Sequence, residues 1–308
     1  MTALEPIGEA AAQVCGLPTT PRMRYWKPAE ALAPYISGYH LYAVETAPGA
    51  LHRDVFQPAW GNLRIRLTDG SRWRVRVREG KWLWPGRVTL FGPSSAVTWS
   101  ESETGLVVGA GIRPRGWPRL FAGDAKGWAD RIGDCPALGS ATSEALHEAF
   151  CGIHEEDAVP GCFDALFADA MRPRGRDDEA IGRMEAALLD PEVKTVGELA
   201  DTAGLSVRTL ERLARRAFGF TPKLLLRRAR FLRSLHAIRR VPAADRTTAI
   251  DPGYTDYSHF VRDSHAFLGM SPQAFLKLDN PLLKQSLQLR DQVLGAPAQA
   301  LAEPGASE

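Results

Sequence analysis

Eleven basic residues lie between Gly204 and Arg240: Arg208, Arg212, Arg215, Arg216, Lys223, Arg227, Arg228, Arg230, Arg233, Arg239 and Arg240, against one acid, Glu211. Guanidinium groups pair bidentately with phosphate and with the guanine edge, so this chemistry suits a polyanion whose condensed counterions the arginines would displace. Spacing sharpens the reading. If Ser206 caps a helix, Val207, Leu210, Leu213, Ala214 and Ala217 form its apolar stripe, and Arg208, Glu211, Arg212, Arg215 and Arg216 are forced outward.

Other chemistries lack their residues. His147, Cys151, His154 and Cys162 stand close in sequence but match no standard zinc spacing, and the four cysteines form no CxxC pair. Gly-x-Ser-x-Gly and GxxxxGK[ST] are absent, and the β-patterned region holds only His40 and His52, with no HxH pair. The expectation is therefore no enzyme, no metal and no cofactor. The rivals are a β-domain enzyme tethered to DNA and an architectural protein that coats DNA without sequence preference.

The elements that must position the arginines appear twice. Thr195 caps a short helix with Val196, Leu199 and Ala200 inward, and Gly204 ends it in a left-handed turn before the Ser206 helix. Gly204-Leu205, the Ser206 start and Gly219-Phe-Thr-Pro222 recur as Gly253-Tyr254, a polar start near Asp256 and Gly269-Met-Ser-Pro272. Between the copies, Thr221-Pro222 opens a long helix to about Arg240. Its length of about 28 Å approaches the roughly 34 Å between successive major-groove faces of B-DNA.

These residues resemble the AraC/XylS family of transcription regulators. The resemblance is carried by Val196-x-x-Leu-Ala200, Gly204, Ser206-x-Arg-x-Leu-x-Arg212, Phe218-Gly-Phe-Thr-Pro222, Gly253-Tyr254, Ser258-His-Phe-x-Arg262 and Gly269-Met-Ser-Pro272. It implies a double helix-turn-helix that binds duplex DNA. Arg208, Glu211 and Arg212 would face base edges from the first unit, and Tyr257, Ser258, His259 and Arg262 from the second. Amides at the Ser206 helix start, and Arg228 on the linker helix, would hold phosphate. Asp245 and Thr248 stand where the first unit has Val196 and Leu199, and Ser264 where the family usually has Phe, so the second unit should have a thinner core.

Upstream, Asn62–Leu67 and Arg72–Arg78 alternate with period two around an Asp69-Gly70 hairpin signal, and short strands follow at 88–91, 97–100 and 106–112. Helices are expected at 142–151 and 161–171, broken by Pro160. Tyr25-Trp-x-Pro28, Phe91-Gly-Pro93 and Gly109-x-Gly-Ile-Arg-Pro-x-Gly-Trp117 resemble the amino-terminal segment of one AraC-type subgroup. That implies a β-rich sensor domain whose helices can form a homodimer. Trp60, Arg64, Trp73, Trp82, Trp84 and Trp99 are its candidate effector-binding residues.

The fold class expected is α+β in two domains: an antiparallel β-rich barrel or sandwich with helices, then an all-α double helix-turn-helix. The layout is an extension (1–24), a sensor domain (25–171), a linker (172–177), a DNA-binding domain (178–280) and a largely disordered tail (281–308), helical at most to about Val293. With 44% hydrophobic and 24% charged residues the chain should fold, and it has neither a membrane-length apolar run nor a secretory signal. A cytoplasmic location is expected, with duplex DNA as partner, RNA polymerase as a contact, and an effector of unassigned chemistry at the sensor domain.

Overall fold

The computed structural model describes residues 22–296. Those residues hold nine strands, eight of them before the first helix: β1 (Arg22–Trp26), β2 (Ile36–Val44), β3 (His52–Phe56), β4 (Gly61–Arg66), β5 (Trp73–Val77), β6 (Val88–Phe91), β7 (Thr98–Ser102), β8 (Gly105–Ile112) and β9 (Ile132–Asp134). They form an antiparallel six-stranded sheet, β1-β2-β8-β4-β6-β9, and a three-stranded sheet, β3-β7-β5.

The alternation in β5 behaves as expected at its first positions. Trp73 and Val75 are buried, while Arg72 and Arg74 turn outward onto Glu103 and Glu101 of the β7–β8 region, each at 2.7 Å. The hairpin expectation is corrected. Gly70 does take a left-handed turn (φ 75°), but β4 pairs with β6 and β8 while β5 pairs with β7, so the turn carries the chain from one sheet to the other. Period two places side chains on faces; it does not choose the strand's partner.

The helices are α1 (Trp117–Leu120), α2 (Ser143–Cys151), α3 (Val159–Ala170), α4 (Asp178–Leu189), α5 (Val196–Ala203), α6 (Val207–Leu213), α7 (Pro222–Arg239), α8 (Tyr257–Leu268), α9 (Pro272–Lys277) and α10 (Pro281–Leu294). Pro160 does not break a helix. It sits in the first turn of α3, where the missing N–H costs nothing. Phe163 of α3 stacks on Tyr39 of β2 at 4.9 Å and meets Phe150 of α2 at 4.4 Å, closing one face of the larger sheet.

The helix expected from Pro281 to about Val293 is present as α10 (Pro281–Leu294), and it is docked on the sheets. α10 lies against β1, β2 and β3, and Asp54 of β3 accepts hydrogen bonds from the Leu282 and Leu283 amides at 2.8 and 3.3 Å. A buried carboxylate thus satisfies free N–H groups at the start of the helix, where the helix dipole also favours negative charge. Tyr25 of β1 meets Ser286 of α10 at 2.7 Å. The expectations for residues 1–21 and 297–308, including Cys15, lie outside the described residues.

The β-rich and helical parts share a core. Val55, Trp60 and Val97 belong to the same apolar cluster as Phe218, Phe231 and Phe267. Polar contacts fasten the same seam: Arg115 holds Asp178 at 2.6 Å, Arg113 pairs with Glu185 at 2.8 Å, and the Val97 amide donates to Phe267 O at 2.9 Å. Burial pushes the Glu185 carboxyl up, and Arg113 opposes that shift. Among the described residues no helix is long and apolar enough to cross a membrane.

Candidate nucleic-acid interface

The first unit forms its two expected capped helices, but Val207, expected on the inward stripe of the second, is 47% exposed in the first turn. Thr195 and Glu198 form a reciprocal capping box on α5, Gly204 closes it at φ 65°, and Ser206 caps α6 by accepting from the Thr209 amide. Leu210 and Leu213 are buried, and Arg208, Glu211 and Arg212 are exposed. A π-turn, Ala214–Phe218, continues α6 and buries Phe218 edge-on against Trp60 at 5.4 Å.

Several of the outward cations already have partners. Arg212 and Arg216 both hold Asp177, at 3.0 and 2.9 Å, and Arg215 reaches Glu211 at 3.4 Å. The Arg212 hydrogen bond in particular holds the Asp177 carboxyl below its ordinary value. Asp177 therefore occupies a fork that a phosphate or base edge would need, and Arg208 is the exposed arginine nearest the helix start.

The linker helix α7 corrects the charge count. Arg227 pairs with Asp263 at 2.6 Å, Arg233 with Asp251 at 2.9 Å, and Arg230 donates to Gly253 O at 3.2 Å. These arginines fasten α7 to the second unit. Arg239 lies over the Phe275 ring, where burial lowers its pKa to about 10.

Arg228, expected at a phosphate, is 1% exposed. It donates to Ser94 O at 2.8 Å and sits 3.8 Å over the Trp60 ring, so it belongs to the seam with the β-rich part. Burial drives its pKa down to about 9, with Asp130 opposing. The sequence shows the stripe as one surface, because a helix's charges sort by face only when both neighbouring elements are in place.

In the second unit Asp256 caps α8 by accepting from the His259 amide at 2.7 Å, and Gly269 ends it at φ 74°. Ser258 and Arg262 are exposed; Tyr257 is half-buried, as is His259, which lies edge-on to Tyr254. No regular helix precedes α8 as α5 precedes α6: only a 3₁₀ turn, Ala243–Asp245, is formed, and Asp245 and Thr248 are exposed. Ser264 is fully buried, its hydroxyl donating to Met270 O at 2.7 Å.

A groove of about 260 Å³ between the start of α5 and α7 is lined by Lys194, Lys223, Arg227, Arg230 and Arg233, with Asp251 as its one acid. Lys223 belongs to the basic stripe legible in the sequence, whereas Lys194 is a functional candidate that the sequence pattern does not mark. Lys194 lies before the helix rather than on its stripe, so no periodicity marks it.

The six candidate effector residues do not converge. Trp60 and Arg64 line a cavity of about 110 Å³ between the sheets and α10, together with His40, Tyr42, Phe56 and Phe91. Trp73 is core, donating to Ser100 Oγ at 3.0 Å. Trp82 is covered by Arg74 and Arg76, Trp99 packs on the shared core, and Trp84 is 63% exposed. Arg290 of α10 also lines the cavity. Nothing in its local sequence places α10 there. Among the described residues no three His, Cys, Asp or Glu side chains could hold a metal ion.

Residues 199–278 match the family described as a helix-turn-helix domain. No curated protein matches the chain. Among solved structures, ToxT from Vibrio cholerae is similar at 11% identity, covering 77% of this chain and 95% of that one at a TM-score of 0.40. The AraC-like transcriptional activator CuxR is similar at 14% identity, 69% and 94% coverage and a TM-score of 0.25. The matched module, with its paired capped helices, is a helix-turn-helix domain.

Proposed function

We propose that the protein recognises a specific duplex sequence with α6 and α8 and that a ligand at the β-rich part controls this binding. The observation that carries the reading is the pair of capped helices, α6 and α8, that present Arg208, Glu211 and Arg212, and Ser258 and Arg262, to solvent on either side of an 18-residue connecting helix. Arg208 supplies a free fork for a guanine edge, and Glu211 an acceptor for cytosine N4. Ser206 at the α6 start, with Arg215, Lys194 and Lys223, supports backbone contact, and Tyr257 and His259 flank the second reading surface.

Base reading by Arg212, and support from Arg216, require release from Asp177. Asp177→Asn removes that competitor and is expected to strengthen DNA binding, read by fluorescence anisotropy. Selection from a random duplex pool, followed by competition, tests the whole proposal. Enrichment of one sequence about 10³-fold or more over bulk DNA is the expected result. Equal affinity for every duplex would instead indicate a protein that coats DNA.

A further inference from the structure

Three guanidinium groups line the cavity beneath α10, the exposed Arg131 and the buried pair Arg64 and Arg290, and the buried pair has no carboxylate of its own. Arg64 of β4 donates to Tyr42 Oη at 3.0 Å and to Asn62 Oδ1 at 3.2 Å, with its Cζ 4.2 Å from the Phe91 ring centre. Arg290 of α10 is 8% exposed and lies over the Tyr25 ring, and its Nε and Nη2 have no hydrogen-bond partner. The one acid in the lining, Asp130, is already taken by the Ser95 amide and hydroxyl, at 2.6 and 2.7 Å. Gln57, also buried in the lining, has both polar atoms of its side chain unpartnered.

Buried charge without a counter-ion is costly, and buried polar atoms are normally satisfied, so these groups together describe a site awaiting an anion. His40 does not supply further charge. Burial, with Arg64 and Arg290 close by, holds it well below its ordinary pKa, and it stays neutral near pH 7. Gly109, opposite His40 on β8, is required here, because a Cβ at that position would overlap the imidazole.

We propose that the cavity binds a small monocarboxylate with an aromatic or short apolar body, its carboxylate held by Arg290 and its body by Tyr42, Phe56 and Phe91. This rests on the reading of the chain as a ligand-controlled regulator. Size sets the body: the cavity of about 110 Å³ is a little smaller than the roughly 150 Å³ that accommodates benzene in an engineered protein. The aromatic lining disfavours a bare inorganic anion. Because α10 follows α9 of the second unit after three residues, 278–280, a ligand that ties Arg290 to the sheet favours the docked arrangement of the two parts.

The test uses the full chain and three acid–amide pairs: benzoate and benzamide, phenylacetate and phenylacetamide, hexanoate and hexanamide, with inorganic phosphate alongside. Calorimetric titration and thermal melts are expected to show at least one acid binding and raising the melting midpoint by several degrees, with its amide inert. Arg290→Met should weaken that acid at least tenfold without lowering the ligand-free midpoint, because it removes an uncompensated buried charge. Arg290→Gln serves as the second variant and should show the same loss of binding. Equal responses to acids and amides, phosphate binding as tightly as the acids, or unchanged benzoate affinity in both variants would overturn the assignment. So would a ligand-free Arg290→Met midpoint well below the parent's, which would make the arginine structural. DNA affinity measured with and without the bound acid separates the two readings. Acid binding that leaves DNA affinity unchanged keeps the site and removes ligand control.

Discussion

Arg208 and Arg228 carry the same charge in the same module, yet one faces solvent and the other is sealed against Trp60. Removing Arg228 takes away a stacked cation and leaves the Ser94 carbonyl without its donor, an unsatisfied-group penalty of about 1–3 kcal/mol. Arg228→Ala should therefore lower the thermal midpoint while leaving the salt dependence of DNA binding unchanged. Arg208→Ala should do the reverse, costing about 1–3 kcal/mol on the preferred site or reducing the salt slope by about 1. Melts and salt titrations of the two variants together check this.

His236 makes a second residue-scale prediction. It is buried, its Nε2 has no partner, and burial lowers its pKa to about 3. The unfolded chain takes up this proton near pH 6.5 and the folded chain resists it, so stability is present above that value and falls as pH drops towards 3. His40 acts in the same sense, and Glu185, whose pKa is raised, acts against them. The midpoint should fall between pH 7 and pH 5, and less steeply in His236→Phe. Parallel slopes for parent and variant would remove His236 from the account.

Elements show where local rules suffice and where they stop. Thr195, Ser206, Thr221, Asp256 and Ser271 each cap the helix that follows, and Gly204 and Gly269 end theirs in left-handed turns, because caps need only neighbours in sequence. The second unit is where an inherited pattern misleads. Ser264, aligned with a family Phe, would be expected to gain from enlargement. In the fold it is fully enclosed and hydrogen-bonded, so Ser264→Phe overpacks the site at a typical cost of 1–3 kcal/mol and should lower the melting temperature. The segment from Ala243 to Asp256, with one 3₁₀ turn where the first unit has α5, should exchange its amide hydrogens faster than Val196–Ala203. Hydrogen-exchange mass spectrometry reads this directly.

At the scale of the whole molecule, the two parts are not beads on a linker. Val55, Trp60 and Val97 complete the core that holds Phe218, Phe231 and Phe267, and Arg113–Glu185 is a buried ion pair across the same seam. A core shared in this way unfolds as one unit. Scanning calorimetry of the full chain should give a single transition, and two well-separated transitions would show that the seam contributes little. Arg113→Ala should cost about 3–5 kcal/mol by stranding the buried Glu185 carboxylate.

By itself the sequence determined the capped helices, the glycine turns, the alternating strands and the outward set of Arg208, Glu211 and Arg212, since each depends on contacts a few residues apart. The tertiary structure alone decided that β4 and β5 join different sheets, that Arg228 is buried on Trp60 while Arg208 is free, and that α10 brings Arg290 to a cavity with Arg64. Each of these joins residues distant in the chain. Local pattern can say that a side chain is cationic or faces outward, but what it meets there is set by which distant surface packs against it.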